Sequence, residues 1–72
     1  MENKKRLALR KGMGDKIRAL RHAKGISIET MANEMDVSRV SLARWETGWY
    51  LPRMTNLLAL AKYFNVRISE IA

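Results

Sequence analysis

Apolar residues recur along this chain at spacings of three and four, and no stretch alternates apolar with polar positions over the length of a strand. The pattern predicts an all-α domain, a bundle of about five short helices. Ile17 and Leu20 mark the inner stripe of a first helix that Asp15 can cap and Gly25 can end. Ser27 then caps IETMANEM, a helix of two turns with Ile28, Met31, Ala32 and Met35 facing inward. Asp36-Val37 is a tight connection. Ser38 caps a third helix, about residues 38–47, with Leu42 and Trp45 on one side and Gly48 as its stop. After Pro52, Met54, Leu57, Leu58, Ala61 and Phe64 fall at helical spacing as far as Asn65, which accepts the left-handed closing conformation. Val66 and Ile68 lead into a last turn, SEIA, with Ser69 as a candidate cap and Ile71 as a final core contact.

Composition narrows what such a bundle can do. The 72 residues are expected to form one domain with a small core and little room for a catalytic cleft, since a chain of this size buries only about 60% of its unfolded surface. There is no cysteine, which removes disulfides and thiolate metal sites, and His22 has no second histidine to join it. No catalytic or metal constellation can be assembled, and no enzyme activity or cofactor is expected. No apolar run reaches the length of a membrane span or a signal peptide, so a cytoplasmic protein without a membrane partner is expected.

Charge is more informative once located. The chain carries net charge +7, and residues 1–24 hold nine basic against two acidic groups, whereas residues 25–72 hold five of each. The whole excess lies in the N-terminal third, as suits a polyanion such as nucleic acid or an anionic membrane surface. Residues 1–13 are read as a basic arm that can be partly helical, with Leu7 and Leu9 as weak anchors, and residues 14–72 as the folded domain.

Two short helices joined by a tight turn, the second serine-capped and polar on its outer face, form a helix-turn-helix, whose second helix enters the DNA major groove. Counted from Ile28, the small residue at position five is Ala32, where the helices cross, and positions fifteen and eighteen are the apolar Leu42 and Trp45. With these spacings, residues 14–72 resemble the lambda-repressor-like (Cro/repressor) helix-turn-helix family, through IRALRHAKGIS, TMANEMDVS, VSLARWETG and LLALAKYFNVRISEI. The resemblance implies a five-helix fold and a small Cro-like regulator of phage or mobile-element type that represses transcription by binding a double-stranded operator as a homodimer.

At about 100° per residue, Val40, Ala43, Arg44 and Thr47 lie opposite the Leu42/Trp45 side of the reading helix. Arg39 or Arg44 can grip guanine O6 and N7 with two hydrogen bonds, and Val40 can pack on a thymine methyl. Together with Ala43 they form the expected base-reading set. Ser38, Ser41, Thr47 and Arg53 are expected on the DNA backbone, joined by Lys4, Lys5, Arg6, Arg10 and Lys11 from the arm. The family pairs an arginine with a glutamate where this chain has Arg21 and Glu46, which implies a structural ion pair.

Three departures stand out. The family's glycine in the turn is Asp36 here, and its glutamine at the start of helix two is Ile28, which removes a phosphate contact. Before Pro52, where basic or polar residues are usual, stand Trp49, Tyr50 and Leu51. These three are read as core, as a homodimer contact or as a site for another protein. Folding back over helix four suits Leu51 best. A second function follows from the last option: an antirepressor or antitoxin-like module that binds another repressor through this apolar loop.

Overall fold

The computed structural model describes residues 4–72. Among the described residues are four α-helices and a closing 3₁₀ turn: α1 Lys4–Lys24, α2 Ile28–Met35, α3 Arg39–Glu46, α4 Met54–Phe64, and the turn Ile68–Glu70. The expected fifth helix is only that three-residue turn. Arg67 caps it in place of Ser69, its backbone N–H donating to the Glu70 carboxylate at 2.6 Å.

Local chemistry sets most of the boundaries. The Ser27 hydroxyl accepts from the Thr30 N–H at 3.1 Å and the Ser38 hydroxyl from the Ser41 N–H at 2.9 Å, each satisfying a donor that a helix start leaves open. Asp36 and Asn65 close α2 and α4 in the left-handed region, at φ 57° and 56°, a conformation these two residue types visit more readily than most others. Asp36 thus fills the turn position without a glycine.

The first helix departs most from expectation. It does not start near Asp15 but runs unbroken from Lys4 through Gly12 and Gly14. Residues 1–3 of the expected arm lie outside the described residues, and residues 4–13 are helical extension. The run KKRLALRK is rich in good helix formers, and a helix-interior glycine costs only about 1 kcal/mol. Gly14 also has a tertiary reason to be there. A Cβ at this position would stand 2.5 Å from the carbonyl oxygens of both Trp45 and Glu46, so α1 crosses the end of α3 at a distance only glycine permits.

Ile17, Met31, Ala32, Leu42, Trp45, Leu57, Leu60, Ala61 and Ile71 form the core, one or more from each α-helix and the last from just after the closing turn. In α4 the buried stripe runs through Leu57, Leu60 and Ala61, while Met54 and Leu58, expected inside, are 63% and 55% exposed. Two stripes of the LLALA run satisfy the same spacing, and packing selects the one containing Leu60. Leu51 is likewise exposed, and its neighbour Pro52 turns inward instead. Across the bundle, the Tyr63 hydroxyl donates to the Glu34 carboxylate, tying α4 to α2. Burial first, and that bond second, push the Tyr63 phenol up to about 12. Among the described residues no helix is long and apolar enough to cross a membrane.

Candidate nucleic-acid interface

The third helix is only eight residues long and is held from behind. Leu42 is fully buried and Trp45 nearly so, which fixes the rotation of α3 about its axis. Its last residue, Glu46, is the one buried charged side chain among the described residues. Arg21 Nε donates to Glu46 Oε2 at 2.7 Å and Arg21 Nη2 donates to Oε1 at 2.9 Å, a two-pronged pair that clamps α1 to the end of α3. Arg21 Nη1 also donates to the Ile26 carbonyl at 3.0 Å, so the same guanidinium holds the entry to α2. The hydrogen bonds to Glu46 raise the Arg21 pKa against the opposing effect of burial. Arg18, to which sequence reasoning gave no role, adds a longer contact from its Nε to Glu46 Oε1 at 3.5 Å.

With its inner side so fixed, α3 turns Arg39, Val40, Ala43, Arg44 and Thr47 toward a single open groove of about 430 Å³. Val40 is 57% exposed, and Arg39 pairs with Glu29 at 3.6 Å between two exposed side chains. Such a pair contributes about 0–1 kcal/mol and yields readily to a stronger partner. Arg44 is placed more definitely, its guanidinium carbon 5.0 Å from the centre of the Trp49 ring, inside the range of a cation–π contact. Ile28 and Trp49 complete the groove. Ile28, expected only on the inner face of α2, is half-buried and forms the apolar wall opposite α3.

The remaining candidate residues fall into two groups. Around the groove, Ser38 and Ser41 are occupied with the helix cap, the Ser38 hydroxyl donating to the Ser41 hydroxyl at 2.9 Å. Thr47 Oγ1 donates to the Ala43 carbonyl at 2.8 Å, and Arg53, exposed, precedes the first turn of α4 without capping it through its side chain. In α1, Lys4, Lys5 and Arg6 occupy exposed positions in the first turn, whereas Arg10 Nε donates to the Gly48 carbonyl at 3.0 Å and Lys11 packs beside Gly48. The basic extension therefore rests against the exit of α3 as a helix. Of the apolar loop, Trp49 joins the groove, while Tyr50 and Leu51 stand outside it, 40% and 44% exposed.

Residues 17–71 match the family described as Helix-turn-helix. Over 57 residues the chain is 35% identical to the HTH-type transcriptional activator BcrR of Enterococcus faecalis, an alignment that covers 79% of this chain and 28% of that protein. The chain thus spans little more than a quarter of the length of that curated relative. The high-resolution crystal structure of the restriction-modification controller protein C.AhdI from Aeromonas hydrophila is similar with a TM-score of 0.78 and 33% identity, over 89% of this chain and 96% of that one.

Proposed function

The chain belongs to the helix-turn-helix family, and from that premise we propose that it is a DNA-binding transcription regulator whose α3 reads the major groove of double-stranded DNA. The observation that carries this reading is the outward face of α3. Arg39, Val40, Ala43 and Arg44 line one open groove while Leu42, Trp45 and Glu46 lock the opposite side of the helix into the bundle. A helix held this rigidly can present two guanidinium groups in fixed register to base edges, the geometry that discriminates guanine from other bases. Phosphate contacts would come from Arg53, Thr47 and the α1 cations, and would set register without reading sequence. A DNA partner fits a cytoplasmic location.

The chain acts as a Cro-like repressor of phage or mobile-element type in this proposal. Occupying a site that overlaps a promoter is enough to block transcription, and it requires nothing beyond the interface described. Selection of duplexes from a randomised pool, followed by fluorescence anisotropy, tests the reading. Arg44→Ala is expected to lose about 1–3 kcal/mol on the selected duplex and to relax preference at one base pair. A pool that yields no preferred sequence would overturn it.

A second reading rests on a separate observation. Leu51, Met54 and Leu58 are 44–63% exposed over eight residues of chain, and apolar side chains so grouped mark a protein-contact surface. Their proposed occupant is a second copy of this chain, giving the homodimer that paired half-sites need. If a heterologous repressor docks there instead, the protein is an antirepressor, and the randomised pool yields nothing.

A further inference from the structure

The groove on α3 is more apolar than gripping guanine requires. Arg44 supplies the donors for guanine O6 and N7, yet the surface around it is built from Ile28, Val40, Ala43 and the Trp49 indole. A guanidinium is flat and stacks through its faces. Trp49 is in position to cover one face of Arg44, 5.0 Å from ring centre to guanidinium carbon, and Val40 and Ile28 border the space beyond it. When an arginine lies in the plane of a guanine, the base on the 5′ side stacks about 3.4 Å away. If that base is a pyrimidine, its C5 substituent projects into the major groove next to the arginine.

We propose that Ile28, Val40 and Trp49 make this groove a receptor for the C5-methyl group of a pyrimidine directly 5′ to the guanine that Arg44 grips. The inference rests on the DNA-reading function proposed above and adds the step that is read. Two bases carry that methyl group, thymine and 5-methylcytosine, so the same site would respond to cytosine methylation at a CG step. Trp49 is the positioning residue. It touches no base in this arrangement, and by holding Arg44 flat it leaves the opposite guanidinium face free for the methyl. Ile28 supplies the apolar wall where a glutamine would present an amide, and Val40, 57% exposed, is the contact whose burial rewards the methyl. The occupant follows from the groove's own chemistry: cationic forks at Arg39 and Arg44 that match an acceptor-rich, polyanionic partner, beside an apolar wall that matches a methyl.

Methyl scanning of the selected duplex tests the proposal. Each thymine is replaced singly by deoxyuridine and each cytosine by 5-methylcytosine, so every comparison differs by one methyl group. At the pyrimidine 5′ to the guanine identified by Arg44→Ala, the methyl is expected to tighten binding about fourfold, the factor that burying one such group gives. The thymine and 5-methylcytosine arms show which source is read. Trp49→Ala and Ile28→Gln are expected to abolish the methyl ratio, and Trp49→Phe, which keeps a stacking face, to preserve it. Circular dichroism confirms folding, which the 68% exposure of Trp49 leads one to expect of its variants. A selected duplex with no methyl effect beside that guanine, or a Trp49→Ala variant that weakens all duplexes equally and keeps the ratio, would overturn the inference while leaving the reading function intact. Failure to select any duplex would remove both.

Discussion

At the scale of single residues, Glu46 decides whether α3 stays in place. Its carboxylate is buried at the α1–α3 crossing and held by both prongs of Arg21, with Arg18 further off. Arg21→Met would leave that carboxylate with only the 3.5 Å contact, and Glu46→Met would leave the arginine without its anchor; each is expected to cost about 3–5 kcal/mol. The double variant is expected to recover much of that, because two apolar chains of similar volume leave no charge stranded. Urea unfolding of the four proteins checks it; additive losses would mean that the pair is not coupled. Arg21 and Glu46 could be named from the sequence only through a family resemblance, since nothing in their spacing of 25 residues makes them neighbours. Gly14 was not legible at all. Its role shows only once α3 is laid across it.

Elements were legible in proportion to how local their causes are. The starts of α2 and α3 and the ends of α2 and α4 follow from Ser27, Ser38, Asp36 and Asn65, each of which acts on backbone within a few residues. The inner face of α4 was not fixed by local chemistry, because the LLALA run offers two stripes and only the partner helices choose between them. The start of α1 was missed for a different reason, since KKRLALRK is rich in good helix formers and Gly12 and Gly14 interrupt it at a cost of only about 1 kcal/mol each. Its consequence is functional, since a helical extension pinned at Arg10 to the Gly48 carbonyl carries Lys4, Lys5 and Arg6 on a rigid lever, in place of a free arm. Replacing these three by glutamine keeps helix propensity and removes three charges. If each meets a phosphate, the slope of log affinity against log salt should flatten by about 0.9 per contact, or about 2.7 in total. An unchanged slope in titrations at several salt concentrations would show that the lever points away from DNA.

For the whole molecule, the decisive relation is between size and the repeat of DNA. Two reading helices that enter successive major grooves on one side of a duplex must stand about 34–36 Å apart. The fold measures 35 × 24 × 21 Å, so two copies in contact have centres between about 21 and 35 Å apart, and a two-fold pair can span the repeat without a linker. The long dimension is set by α1, whose 21 residues extend about 31 Å at 1.5 Å per residue. Met54 and Leu58, one turn apart on α4 and both more than half exposed, supply an apolar patch of the kind such a contact uses. Met54→Ser with Leu58→Ser is expected to convert a dimer into a monomer in sedimentation velocity, with thermal stability within about 0.5 kcal/mol of the parent because neither side chain belongs to the core. On DNA the same variant should bind single half-sites with unchanged preference and lose cooperative occupation of paired ones. If the parent sediments as a monomer and fills paired half-sites independently, the two-fold arrangement is wrong, and the exposed stripe of α4 has to be assigned to a different protein.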